Sequence, residues 1–339
     1  MDTQSRTGQR IIHYRYGDPN AVLKVEDVTF DQPIGTGEVL VRVTRSMIHP
    51  GDLQLIAARY SDPAEPLPNG RIPGLEAAGV IEDAASGALE GTDLALGMRV
   101  AFFASGAWQS YATVPASSLV ALPDELSDDV STQVIINTII ARQVLRLGLR
   151  DMSPRPLRIL QSATNSAVGK LITNFALQEG LEPIRLVRKP DNAAALPGIL
   201  PGDHVICTEG EGWQDEVRKV AGDDITLAVD GVGGPMLTEF SRLLATKGRV
   251  VSYGSLAEAP SDMALYSFKG LTVIGATILT WQDDTTPEER DEDMRAAVEV
   301  GLSQKGLFGG GHVFTLKELD QAITAVTAPG KTGNIILTF

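Results

Sequence analysis

The sequence predicts an α/β protein in which a β-rich domain is joined to a doubly wound parallel sheet. Three observations predict it. Short β-branched runs separated by Gly, Pro and Asp clusters fill residues 11–130, with no long helical periodicity. Strand-like and helix-like segments then alternate from residue 157 to 252, the pattern of parallel strands with crossover helices. The chain, at 339 residues, 43% hydrophobic and 21% charged, is globular in composition and long enough for two cores.

In the first part, the runs at 39–43 and 97–103 are the clearest strands. Ser127 reads as a helix N-cap with Asp128 and Asp129 in the first turn, and apolar spacing carries that helix to Leu147. Beyond the Pro154 and Pro156 joint, 157–160 is a short buried strand and 166–180 a helix. Strands follow at 183–187, 204–207 and 225–229, then a helix at 235–245 and a strand at 248–252. The run 271–275 is apolar without alternation, which suits a strand buried on both faces or paired across a dimer. The tail holds an amphipathic helix at 288–301 and a closing strand at 334–339, and is expected to return to the first domain. The domains expected are therefore 1–130 with 277–339, and 131–276.

Composition excludes several roles. A formal charge of −14 argues against nucleic acid or an anionic membrane as partner, since both reward basic surfaces. No stretch reaches the about 18 apolar residues of a membrane span, and the polar opening lacks the apolar run of a secretory signal. The lone Cys207 permits neither an intrachain disulfide nor a cysteine-rich zinc site, so a cytoplasmic location is expected.

The most informative stretch runs from Leu160 to Gly169, where a strand ends and a helix begins. That junction is where a dinucleotide pyrophosphate docks on free backbone N–H groups and the positive helix end. The usual G-x-G-x-x-G is reduced here to Thr164-x-Ser166-x-x-Gly169, a weak pattern that a structural turn could also produce. An NAD site usually places Asp or Glu about 20 residues on. This chain has Arg188-Lys189 at that offset, cations suited to a 2′-phosphate, although a solvated basic strand end would look the same. NADPH is the cofactor expected. The turns containing Val232 and Tyr253-Gly254-Ser255 lie at carboxyl ends of sheet strands and are assigned to the nicotinamide ribose, with ordinary turn chemistry as the alternative.

So arranged, the chain resembles the medium-chain dehydrogenase/reductase superfamily over essentially its whole length, and within it the mitochondrial-type 2-enoyl thioester reductases and the quinone oxidoreductases. The resembling pieces include Gln161 to Gly169, Leu227 to Gly234, Gly248 to Gly254, Phe268 to Leu271, Gly106 to Tyr111, Asn137-Thr138 and the closing Ile335 to Thr338. The resemblance implies a GroES-like catalytic domain and a Rossmann nucleotide-binding domain. It implies that Asn165, Ser166, Ala167 and Val168 form the pyrophosphate turn, with Asn137 and Asn334 as further cofactor positions. Asn334 stands where the family often has a lysine. Tyr60 matches a tyrosine beside the substrate carbonyl, and Trp281 a tryptophan lining an acyl pocket. A homodimer joined through the strand at 271–275 is also implied.

Zinc-dependent relatives carry Gly-His-Glu, whereas this chain reads Gly74-Leu75-Glu76. His49 and Glu76 would supply two ligands, short of the three that catalytic zinc takes. Without a Lewis acid, alcohol oxidation is disfavoured and hydride transfer to an electron-poor carbon remains. The expected activity is zinc-independent reduction of a C=C conjugated to a carbonyl, a trans-2-enoyl thioester of CoA or acyl carrier protein above all. A quinone or small-enone reductase is the alternative within enzymes, and an NADPH-binding protein without turnover the alternative outside them. Tyr60 is the candidate donor to the enolate, with His49 as the other, because imidazole titrates near working pH. Asp52 and Glu76 read as structural hydrogen-bond and ion-pair partners, Trp108 as packing, and His13, His204 and His312 as structural or surface residues.

Overall fold

The β-branched runs of the N-terminal third pleat into strands β1 (Arg6–Ile12), β2 (Lys24–Phe30), β3 (Glu38–Met47), β4 (Glu76–Ala84), β5 (Arg99–Phe103), β6 (Tyr111–Pro115) and β7 (Leu119–Ala121). The alternating middle gives β8 (Arg158–Gln161), β9 (Glu182–Val187), β10 (Val205–Cys207), β11 (Leu227–Asp230), β12 (Arg249–Ser252) and β13 (Thr272–Gly275). The tail adds β14 (Gly311–Thr315) and β15 (Asn334–Thr338). This computed structural model describes residues 5–339 except 223, 258, 329, 330 and 332. The chain parts into two units, Met1–Ile136 with Ala297–Phe339, and Asn137–Ala296.

In the first unit, β1 and β2 form an antiparallel hairpin, and the other strands form a seven-stranded sheet ordered β14-β15-β3-β4-β5-β7, with β6 also on β3. β3 is the organising strand, pairing antiparallel with β4, β6 and β15. Its inward residues Val39, Val41 and Val43 meet Phe102, Trp108, Ile335 and Leu337 in one core. Trp108 is fully buried, with its indole N–H turned to the Met47 carbonyl, so it is a packing residue as expected.

The second unit holds six strands, all pairs parallel, in the order β10-β9-β8-β11-β12-β13. The chain starts at β8, winds outward through β9 and β10, then returns to β8's other side with β11. That reversal creates a switch point between β8 and β11, where ligands of such sheets bind beyond the carboxyl ends of the strands. Leu160, Ile184, Ala228, Val250 and Phe240 form the core beneath it.

Four features differ from expectation, in whole or in part. The helix from Ser127 is two helices, Asp128–Ser131 and Val134–Leu149. The side chains of Thr132 and Gln133 bond back to the Asp129 carbonyl at the break, competing with the helical ladder. β13 is not buried on both faces. It pairs with β12 alone, as the sheet's edge, and Val273 is 42% exposed. Residues 277–296 belong with the second unit, not with the returning tail. The anchor is Asp293, fully buried, which accepts from Arg142 Nε at 2.5 Å, Arg146 at 2.8 Å and the Trp281 indole at 2.8 Å. The tail also carries β14 and a helix, Leu319–Thr327, beyond the two elements expected. Among the described residues no helix is long and apolar enough to cross a membrane.

Removing a buried carboxylate strands its cations at a cost of about 3–5 kcal/mol. Asp293→Ala should therefore lower the urea midpoint of unfolding substantially, as read by circular dichroism. An unmoved midpoint would mean that apolar packing alone holds 277–296 in place.

Candidate active site

In the second unit the site is built where β8 turns into the helix Ala167–Gln178. Ser166 caps that helix, its hydroxyl accepting from the Gly169 N–H at 2.9 Å. A Cβ on Gly169 would stand 2.2 Å from the Ala163 carbonyl oxygen, so only glycine lets the helix lie this close to the turn. Ala163 itself has a φ of 51°, a conformation glycine would take without strain. Gln161, at the end of β8, ties the turn from beneath by donating to the Gly169 carbonyl at 2.5 Å and accepting from Thr173 at 2.9 Å. Asn165 and Ser166 are exposed, and Ala167 and Val168 half-buried, at the helix N-terminus.

Beside this turn, Asp230 ends β11 fully buried. Its carboxylate accepts from Ser162 Oγ at 2.5 Å and from the N–H groups of Val232 at 3.0 Å and Gly233 at 2.8 Å. Ser162 Oγ in turn accepts from the Gly231 N–H at 3.0 Å, locking the β8 and β11 turns together. Burial raises the Asp230 carboxyl above its ordinary value, against the pull of these donors. Tyr253 follows β12 with its ring against Gly231. Burial, then the Asp230 charge, push its phenol well up, with the Ser166 hydroxyl opposing. A Cβ on Gly254 would meet the Gly231 carbonyl oxygen at 2.3 Å, so this turn too is shaped around a bare backbone. Ser255 follows it on the surface.

Arg188 and Lys189 leave β9 exposed to solvent, and among the described residues neither is in an ion pair. Thr138, next to the buried Asn137, keeps a buried hydroxyl oxygen that has no hydrogen-bond partner among the described residues. This arrangement suits an anionic, phosphate-bearing ligand: capped helix N–H groups, two glycine-lined turns, an orphan hydroxyl and two unengaged cations.

The first unit holds a buried acid–base cluster. His49 precedes the helix Pro50–Ile56, and its Nε2 lies 2.9 Å from Glu76 Oε2. Glu76, the first residue of β4, is fully buried, and its Oε1 accepts from the N–H groups of Ile135 at 2.7 Å and Ile136 at 3.2 Å. Burial works against a charged His49, but the hydrogen bond and charge of Glu76, with the charge of Asp52, outweigh it and raise the imidazole's pKa, Lys331 opposing. Asp52 accepts from the His49 backbone N–H at 2.8 Å through Oδ2. Its Oδ1, unpartnered among the described residues, borders a cavity of about 10 Å³ shared with His13, Arg71 and Ser105, the room of one water molecule. Burial pushes the Asp52 carboxyl up to about 6, its proximity to Glu76 adding to the shift and His49 opposing it.

Most of the expected cofactor residues, from Asn137 to Ser255, fall in the second unit. Asn334 belongs to the other unit. It lies in the first unit at the start of β15, buried, its amide donating to Gln133. Trp281, expected as a pocket wall, lies in the second unit. It is only 5% exposed, and its N–H is given to Asp293, so the role seen here is to anchor 277–296. Tyr60 is 59% exposed beyond the helix Pro50–Ile56, with its hydroxyl donating to Gln54. Sequence reading missed Gln161, Ser162 and Asp230 as organisers of the turn, although three polar residues closing apolar strands were a legible sign. Among the described residues no group of three or more His, Cys, Asp or Glu side chains is placed to hold a metal ion.

Comparison with known proteins adds independent findings. Residues 35–124 match the model of the alcohol dehydrogenase GroES-like domain. The mitochondrial enoyl-[acyl-carrier-protein] reductase of Dictyostelium discoideum is 26% identical over 337 residues, covering 95% of this chain and 92% of that one. A crystal structure of a protein classed as an NADPH:quinone reductase, from Bacillus thuringiensis, superposes with a TM-score of 0.87 at 26% identity, covering 98% of this chain and 99% of its own. The Escherichia coli quinone oxidoreductase, crystallised with NADPH, gives 0.81 at 22% identity, covering 98% and 100%, a likeness of fold.

The folded Asp52 carboxyl titrates near 6 and an unfolded one near ~3.9. Between those values the native state holds a proton that the unfolded state has lost, so stability falls as pH rises from about 4 to 6. Asp52→Asn should remove that decline and be at least as stable as the parent at pH 7. Denaturant titrations across this pH range would show it, and an unchanged slope would assign the pH dependence to other groups.

Proposed function

The chain is an oxidoreductase of the medium-chain dehydrogenase/reductase superfamily, and from that premise we propose that it is an NADPH-dependent, zinc-independent reductase of a C=C conjugated to a carbonyl, with a trans-2-enoyl thioester of CoA or acyl carrier protein as substrate. The observation that carries the cofactor is the unengaged Arg188-Lys189 pair at the end of β9, in a chain of net charge −14, beside a turn built for a pyrophosphate. An NAD-preferring site would set a carboxylate there. Ser166, Ala167 and Val168 would hold the pyrophosphate on backbone N–H groups. Arg188 and Lys189 would hold the 2′-phosphate, while Asn165, Val232, Tyr253, Gly254 and Ser255 line the remaining turns. Asn137 and the orphan hydroxyl of Thr138 would serve the nicotinamide end. Bound NADPH supplies the hydride for the β-carbon of the substrate.

The remaining chemistry belongs to the protein. It must neutralise an enolate oxygen as charge develops there and deliver one proton to the α-carbon. Tyr60 and His49 are the donors the first unit offers. Zinc independence is supported by the donor set. Position 75 is leucine, and both Glu76 oxygens are already occupied by His49 and two helix N–H groups. The likeness to the Bacillus protein favours a second reading, reduction of a quinone or small enone. The same reading pairs two copies through the free edge of β13 and places the protein in the cytoplasm.

Oxidation of NADPH should be followed spectrophotometrically against trans-2-enoyl-CoA, quinones and enals, with and without chelator. Turnover of enoyl-CoA that survives chelation is expected. Turnover of quinones alone decides for the second reading, and loss of activity in chelator restores a metal to the site. No oxidation across the panel would leave a cofactor-binding protein without turnover. Replacing Arg188 and Lys189 together by alanine should raise the KM for NADPH about 10- to 100-fold, as expected for lost charge-assisted bonds, and leave that for NADH nearly unchanged.

A further inference from the structure

We infer that Lys170 is a further binding residue of the cofactor site, its ammonium completing the seat of the pyrophosphate at the turn between β8 and the helix Ala167–Gln178. This assignment rests on the dinucleotide-binding reading above and deepens it. Lys170 is the fourth residue of that helix, and its backbone N–H bonds the Ser166 carbonyl at 2.9 Å. The two residues are therefore one turn apart on a single face, with Cβ atoms about 5–6 Å from each other. A helical side chain leans towards the helix N-terminus and covers the turn before its own. For Lys170 that turn is the Ser166 cap. Asn174, one turn further on, continues the same face, and its side-chain nitrogen is buried with no hydrogen-bond partner among the described residues. The hydroxyl of Tyr253, buried and likewise without a partner among the described residues, lies at the same cap. Burial and the Asp230 charge raise its pKa, and the Ser166 side chain opposes them.

Without a ligand, this is an unfavourable place for a cation. Lys170 is 7% exposed, and among the described residues its amine makes neither a hydrogen bond nor an ion pair. Burial lowers its pKa, and no neighbouring charge opposes that shift. The helix end beside it is the positive one, which repels a cation. Buried charges are normally paired, and an apolar residue of the same length would avoid the cost of an unpaired one. Elsewhere in the second unit a buried cation is satisfied: Arg185, 1% exposed, donates to the Leu200 carbonyl at 3.2 Å and to that of Gly202. An anion at the turn removes each of these costs together. It supplies the missing counter-charge, accepts from the ammonium, and is itself favoured by the helix N-terminus. Arg188 and Lys189, in the reading above, hold the 2′-phosphate, which NADH lacks. Lys170 serves the pyrophosphate, which NADPH and NADH share.

The test measures the Kd of NADPH and of NADH, by nicotinamide fluorescence, for wild type, Lys170→Met and Lys170→Gln, together with the melting temperature of each protein free of nucleotide. Methionine keeps the unbranched stem and deletes the charge. Lys170→Met should raise both Kd values by the same factor, about 10-fold or more, as for a lost charge-assisted bond. Its nucleotide-free melting temperature should equal or exceed that of wild type, because an unpaired buried charge is gone. Lys170→Gln, which keeps a neutral donor, should lie between the two in affinity. A lysine that served structure alone would give the opposite result, a lowered melting temperature with both Kd values unchanged, and that outcome overturns the assignment. A loss of affinity confined to NADPH also overturns it, and moves Lys170 to the 2′-phosphate beside Arg188 and Lys189. A wild-type protein that binds neither nucleotide overturns instead the dinucleotide-binding reading on which the assignment rests.

Discussion

The close approach of one helix to one strand end governs the second unit. Gly169 sits where any side chain would collide with the Ala163 backbone, and that contact brings the N-terminus of Ala167–Gln178 over the end of β8. The helix N–H groups, the Ser166 cap and the Gln161 tie all follow from it. The turn after β11 is then fixed to the same place, because Ser162 reaches from one turn to the Asp230 carboxylate of the other. Three buried polar side chains thus do, by hydrogen bonding, what additional glycines do by conformational freedom in the usual phosphate turn.

The first unit solves a different problem, the burial of charge. Glu76 is accommodated in the interior because its partners leave neither oxygen unsatisfied: an imidazole on one side, a helix N-terminus on the other. Such an arrangement is costly to assemble and costly to break, and it fixes the protonation state of whatever touches it. Asp52 is less well served, with one oxygen facing only a water-sized cavity, and its carboxyl is correspondingly pushed towards the neutral form.

Much of this was legible in the sequence. The parallel strands β8, β11 and β12 have apolar centres because both faces are covered, and a polar residue ends each one at its carboxyl end. Arg188-Lys189 could be placed by offset alone. What could not be read depends on partners far apart in the chain. Glu76 and Ile135 are 59 residues apart, and no local pattern announces that one caps the other. The placement of 277–296 hangs on Asp293, one acid within a helix whose sequence, Pro-Glu-Glu-Arg-Asp-Glu-Asp, reads as wholly solvated. For β13 the apolar run allowed burial on both faces or pairing across a dimer, and its place as the open edge of the sheet removes the first. β14 was hidden because most of its side chains are exposed, leaving little hydrophobic period to detect.

The position of β15 has a consequence for how the molecule comes into being. This strand lies between β14 and β3, so two neighbours whose facing ends, Met47 and Gly311, are 264 positions apart are joined only when residues 334–338 arrive. On the ribosome, the second unit, contiguous from 137 to 296, is complete and free to fold while part of the β3 edge still waits unpaired. The half that would handle substrate is therefore the last to close. A nascent chain stalled before β15 would present an open, apolar strand edge to its neighbours, the kind of surface that chaperones cover.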